Sequence, residues 1–194
     1  MKKLLQRNGA LLSLLAALLL LGYTANDLHA QSDPARATVE SYLAAQHKGD
    51  WKAFVGAFDP QDISTFKYNF VSSYGARIAQ MDTTVLKPSY FGVKSLTDLG
   101  SVDSVTYVAG IFRMILDVMP PLREMMMGAK ETILGSVDEG TELKHFVLRV
   151  RASVQNEAVS NIEVVSVRKV GTQWRVVGKR NMEQMTNLLK RIIR

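Results

Sequence analysis

Residues 142–155 read ELKHFVLRVRASVQ. Phe146, Leu148, Val150, Ala152 and Val154 fall at alternate positions, and His145, Val147, Arg149, Arg151 and Ser153 take the places between. Successive side chains of a β-strand point to opposite faces, so this pattern predicts a strand with an apolar side for a core and a charged side for water. A slip of one residue would reverse every side chain, so the reading also fixes register.

The neighbouring segments repeat the theme. KETILGSVDEG (130–140), VSNIEVVSVRKV (159–170) and TQWRVVGKR (172–180) are rich in β-branched residues, with turn signals at Asp138-Glu139-Gly140 and Gly171-Thr172. They predict four consecutive antiparallel strands over about 130–180, with a bulge near Val164-Val165. In the last strand Trp174 and Val176 share a face opposite Arg175 and Val177. The tail, 181–193, spaces Met182, Met185, Leu188, Leu189 and Ile192 as a helix with a basic end.

Upstream, residues 33–127 read as helices. Asp33 is the expected N-cap with Pro34 in the first turn, and Ala35, Val39, Tyr42, Leu43 and Gln46 share one face. Gly49 ends that helix and Asp50 caps the next, which carries Trp51, Phe54, Val55 and Phe58. His47 and Asp50 thus read as parts of a helix corner rather than of a catalytic site. Asp59-Pro60 starts a third helix with an aromatic stripe of Ile63, Phe66, Phe70, Val71, Tyr74 and Ile78. Residues 82–102 read as an irregular crossing or a weak hairpin. A fourth helix from Asp103 presents Val105, Val108, Phe112, Ile115 and Met119 until Pro120-Pro121 ends or kinks it. Met125 to Met127 offer an adaptable surface or plain core. Helices followed by a meander predict an α+β domain, 31–194, with its helices on one face of a bent four-stranded antiparallel sheet and a C-terminal helix.

The first thirty residues read differently. Lys2, Lys3 and Arg7 precede the apolar run ALLSLLAALLLLGYTA (10–25), and Ala30 or Ala25 offers a cleavage point. This is the pattern of an export signal, placing the protein in the periplasm or outside the cell; an uncleaved anchor is the rival reading. Removal of residues 1–30 lowers the net charge from +6 to +4. With no cysteine there is no disulfide, thiolate nucleophile or thiolate metal site. Only His47 and His145 remain beyond the signal, so no metal centre and no cofactor are expected.

The Gly49-Asp50-Trp51 corner and the hairpin KVGTQWRVV (169–177), together with the element order over 33–180, resemble the nuclear transport factor 2-like superfamily. The resemblance implies a cone of bent sheet around helices with an apolar cavity. The chain departs from that pattern between its second and third helices, where the superfamily has a strand pair. In enzymes of this fold an Asp or His base and Tyr donors line the cavity, and residues of those types here are Tyr42, Tyr68, Tyr74, Tyr107, Asp82, Asp117 and His145. None sits in a motif that carries over a catalytic role. His145 shares the charged face of its strand and is expected to point outward.

Two surfaces are expected. Tyr42, Phe66, Phe70, Tyr74, Phe112 and Trp174 would line a cavity for a small apolar or amphipathic ligand, or simply fill the core. Arg149, Arg151, Arg168, Lys169, Arg175 and Lys179 would make a basic face for an anionic envelope component, or a solvated face. Nucleic acid is a poor partner, because aromatic side chains are not interleaved with these charges. A non-enzymatic ligand-binding or interaction domain leads. An isomerase-, hydratase- or lyase-type enzyme and a self-associating envelope protein, such as a homodimer, are the alternatives.

Overall fold

The computed structural model describes residues 33–78, 86–154 and 157–192. The expected export signal and Asp82 lie outside them.

Three helices open the fold, each started by a capping aspartate. Helix α1 spans Pro34–Lys48, with Asp33 Oδ1 accepting the Ala35 amide at 3.0 Å. Gly49 leaves it at φ 65°, a left-handed conformation that side chains disfavour. Helix α2 (Trp51–Gly56) is capped by Asp50, whose Oδ1 accepts the Ala53 amide at 3.0 Å. Asp59 does the same for α3 (Pro60–Ile78) through the Gln61 amide at 2.9 Å. Along α3, Ile63, Phe66 and Phe70 are buried, but Val71 turns to solvent at 39% exposure, so the apolar stripe is narrower than its spacing suggests.

Of the two expectations for residues 82–102, the described part follows the irregular one: two 3₁₀ turns, Pro88–Phe91 and Leu96–Ser101. Helix α4 (Ser104–Val118) then runs through the middle of the molecule, burying Tyr107, Val108, Ile111, Met114, Ile115 and Leu116 over most of its circumference. Pro120 and Pro121 turn the chain by 111° into α5 (Pro120–Gly128). Proline cannot donate to the preceding helix, and its ring clashes with the turn before it.

The meander follows as β1 (Lys130–Glu139), β2 (Leu143–Val154), β3 (Glu157–Val170) and β4 (Gln173–Val176), antiparallel and in the order β1-β2-β3-β4. The bulge is not near Val164-Val165, where pairing with β2 is continuous. It lies in β1, between Ile133 and Gly135, where the extra residue Leu134 is 46% exposed. An inserted residue resets the alternation and bends its strand. Phe146 and Leu148 face the helices and are buried, while Arg149 and Arg151 stand in solvent, as the alternation requires. Beyond β4, the α2–α3 corner acts as a short extra strand: Phe58 bridges Val176 in parallel, with Asp59 N–H donating to the Val176 carbonyl at 2.8 Å. Helix α6 (Lys179–Ile192) closes the fold, burying Met182, Met185 and Leu189. The architecture is α+β, with helices packed on one face of a four-stranded antiparallel sheet.

Candidate functional site

Strand register builds one wall of a cavity. The inward rows Glu131–Val150–Asn161 and Ile133–Leu148–Glu163 run across β1, β2 and β3 where the sheet extends past its most buried part. Helix α1 adds Tyr42, Leu43 and Gln46; α4 adds Phe112, Ile115 and Leu116; α5 adds Leu122, Met125 and Met126; α6 adds Asn181, Gln184, Met185 and Leu188. The space, open on one side, is about 480 Å³. That is the size of a small-molecule site, and the combination of apolar walls with a few polar groups is typical of one.

The polar groups form two clusters. In the first, Glu131 has a side chain only 5% exposed, and its Oε2 lies 2.7 Å from Nε2 of His47. Gln46 Nε2 donates to Glu131 Oε1 at 3.3 Å and to the Met126 carbonyl at 3.0 Å, tying α1 to β1 and α5. His47 is therefore both the last turn of a helix, as its position predicts, and the partner of a buried carboxylate in the cavity wall. In the second cluster, Tyr42 is 6% exposed and stacks on Phe54 at 4.7 Å. Burial pushes the Tyr42 phenol well above its ordinary pKa; the Glu163 carboxylate adds to this, and the hydrogen bond with Asn181 opposes it. The phenol therefore keeps its proton at neutral pH and can act as a donor.

Of the six aromatic residues proposed from the sequence, only Tyr42 and Phe112 line this cavity. Phe66 and Phe70 stack along α3, Tyr74 lies tilted against Phe70, and Phe70 meets Tyr107 of α4 edge-on at 6.3 Å. Trp174 is half-buried on β4. Helical spacing shows that such residues are inside but not which cavity they meet.

The other candidates are dispersed. Tyr68 is 73% exposed. Tyr107 is buried between α3 and the Pro88–Phe91 turn, and burial pushes its phenol up to about 12. Asp117 accepts from the Tyr90 hydroxyl in a separate polar groove with Arg113 and Arg123. His145 stands on the outward face, held by Ser166 Oγ and Glu139 Oε2, each at 2.8 Å.

The six basic residues do not make one face. Arg149 and Arg151 are on the outward side of β2, opposite Ile162 and Ser160. Arg168 lies six residues further along β3 from Ile162, about 20 Å away at strand rise. It pairs with Asp59 at 2.8 Å, while Arg175 Nη1 donates to the Gly56 carbonyl at 2.7 Å. Lys169 has the parity of Val167 and so belongs to the opposite side of the strand, and Lys179 begins α6. The α2–α3 corner, distant in sequence, thus engages two of the six: Asp59 offsets the charge of Arg168, and the Gly56 carbonyl holds Arg175.

Sequence reasoning passed over Glu131, Asn161, Glu163, Asn181 and Gln184. A usable signal was present for Glu131, Asn161 and Glu163, which sit among β-branched residues in β1 and β3, whereas Asn181 and Gln184 come from α6. Only the pairing register brings the three strand residues to one wall.

No known protein family matches the chain, and no curated protein does. Among solved structures it is similar to an NTF-2-like protein of unknown function from Shewanella oneidensis MR-1, at 10% identity, covering 75% of this chain and 93% of that chain, with a TM-score of 0.42.

Proposed function

We propose that this protein is an exported, non-enzymatic domain that binds a small apolar or amphipathic molecule in the cavity between the inward sheet face and helices α1, α4, α5 and α6. One observation carries the reading: an open, largely apolar space of about 480 Å³ persists beside an otherwise packed core. Apolar walls left unfilled lose dispersion contacts, and a ligand restores them. The test is calorimetric titration of the purified protein with n-decanol, alongside the variant Val150→Phe, which places a ring in the cavity. Binding to the parent, weakened about tenfold or more in the variant, supports the reading, since tenfold is about 1.4 kcal/mol. Equal binding by both would place the ligand elsewhere and overturn it. Native mass spectrometry of the exported protein reports leader removal, self-association and any retained ligand together.

A second reading, a proton-transferring enzyme of isomerase, hydratase or lyase type, has one observation in its favour. Glu131 is a buried carboxylate beside a histidine, next to a cavity that also holds a protonated tyrosine. Its test is exchange of solvent deuterium into carbonyl compounds of cavity size, abolished by Glu131→Gln.

A further inference from the structure

The charges that line the cavity have one sign. Among the described residues, Glu131 and Glu163 are its only charged lining residues, in a chain that carries 24 Lys and Arg against 18 Asp and Glu. Glu131 is already met by Gln46 and His47. Glu163 is different. It projects from β3 on the inward row with Leu148, and among the described residues no ion pair or side-chain hydrogen bond engages it. The other polar side chains of the lining, Tyr42, Gln46, Asn161, Asn181 and Gln184, can donate or accept but cannot supply a positive charge.

An occupant of the cavity covers Glu163 and strips water from it. Covering a carboxylate with a neutral apolar body leaves a charge without a partner, and covering it with an anion adds repulsion. A cation removes both penalties and gains a charge-assisted hydrogen bond. The deeper walls suit the rest of such a molecule. The half-buried Phe112 ring and the side chains of Leu122, Met125 and Met126 line the same space and suit an aliphatic body.

We propose that the ligand is a cationic amphipath, an amine whose ammonium group meets Glu163 at the cavity mouth and whose apolar body lies between Phe112 and Leu148. This rests on the reading of the protein as a binder and specifies its ligand class. Fatty acids and other anionic amphipaths are disfavoured at the same site.

The experiment compares three probes of one chain length, n-decylamine, n-decanol and n-decanoate, each below its aggregation limit. They are titrated calorimetrically at pH 8 into the full-length protein and into Glu163→Gln. The variant is isosteric and its position is exposed, so folding is preserved. The amine is expected to bind about tenfold or more tighter than decanoate, and Glu163→Gln to weaken the amine about three- to tenfold more than it weakens decanol. Decanoate binding as tightly as the amine, or an amine affinity unmoved by Glu163→Gln, overturns the cationic class. If in that case decanol still binds and loses affinity in Val150→Phe, the binder reading stands without it. Failure of all three probes to bind defeats both.

Discussion

Substituting Gly110 by alanine tests how α4 is positioned. A Cβ built on Gly110 falls 2.4 Å from Cδ1 and 2.6 Å from Cε1 of Phe91, far inside van der Waals contact. The ring cannot swing to solvent: Phe91 is 2% exposed and packs against Tyr107 with ring centroids 5.6 Å apart. Either the Pro88–Phe91 turn or α4 must therefore move. Overpacking of this kind costs about 1–3 kcal/mol, against which alanine returns up to about 1 kcal/mol of helix propensity. The net expectation is a loss of about 1–2 kcal/mol, or roughly 2–8 °C in Tm for a domain of this size. Gly56→Ala is the control. Its nearest neighbour is Val105 Cγ1 at 3.9 Å, so only the favourable effect on backbone entropy remains. Thermal unfolding followed by circular dichroism measures both, and Gly110→Ala combined with Phe91→Leu should recover part of the loss through direct coupling. A Gly110→Ala protein as stable as the parent, or strictly additive with Phe91→Leu, would refute the close approach. The stakes reach the cavity, because the face of α4 turned away from Phe91 carries Phe112, Ile115 and Leu116.

Other expectations concern charge. His47→Ala strips a partner from the buried Glu131 carboxylate and should cost about 1–3 kcal/mol in urea denaturation, with His47→Ala/Glu131→Gln regaining much of it; a double variant no better than the single one would show that the contact is incidental. Lys144 Nζ lies 2.8 Å from Asp33 Oδ2 and ties the start of α1 to β2. Burial pulls the Asp33 carboxyl upward, but Lys144 and the amides of Ala35 and Arg36 outweigh it and hold the carboxyl below its usual range; the hydrogen bond to Asp33 in turn raises Lys144. A depressed acid stabilises above its unfolded pKa and a raised amine below its own. The advantage of the parent over Lys144→Met, about 1 kcal/mol for a half-buried pair, should therefore hold at neutral pH. It should fade below pH ~4 and above pH ~10.4, and a difference that ignores pH would count against the pair.

Much of the fold was legible because its signals are local. Asp33-Pro34, Gly49-Asp50 and Asp59-Pro60 each act through amides within a few residues, so no tertiary knowledge is needed to place them. The alternation of residues 143–154 is nearly as direct, since a strand has two faces and Phe146 and Leu148 leave one choice for the core. The cavity was not legible in the same way. Glu131, Asn161 and Glu163 belong to different strands and meet only through register. The bulge at Leu134 also changes which residues of β1 face inward, from Glu131 and Ile133 to Ser136 and Asp138. His47 illustrates the limit best. Its own neighbours specify a helix end, and nothing near it in sequence announces the carboxylate that it touches.

The turn at Pro120 also sets which wall of the cavity yields first. Helix α5 has nine residues and none fully buried, too short to persist by itself, and Gln46 donating to the Met126 carbonyl is one of its few polar tethers. Opening it sacrifices little apolar contact, whereas displacing α4 would dismantle the centre of the molecule. Amide hydrogens of residues 123–128 should therefore exchange with solvent faster than those of α4. The cavity is thereby bounded by one compliant wall, α5, and one that does not give, α4.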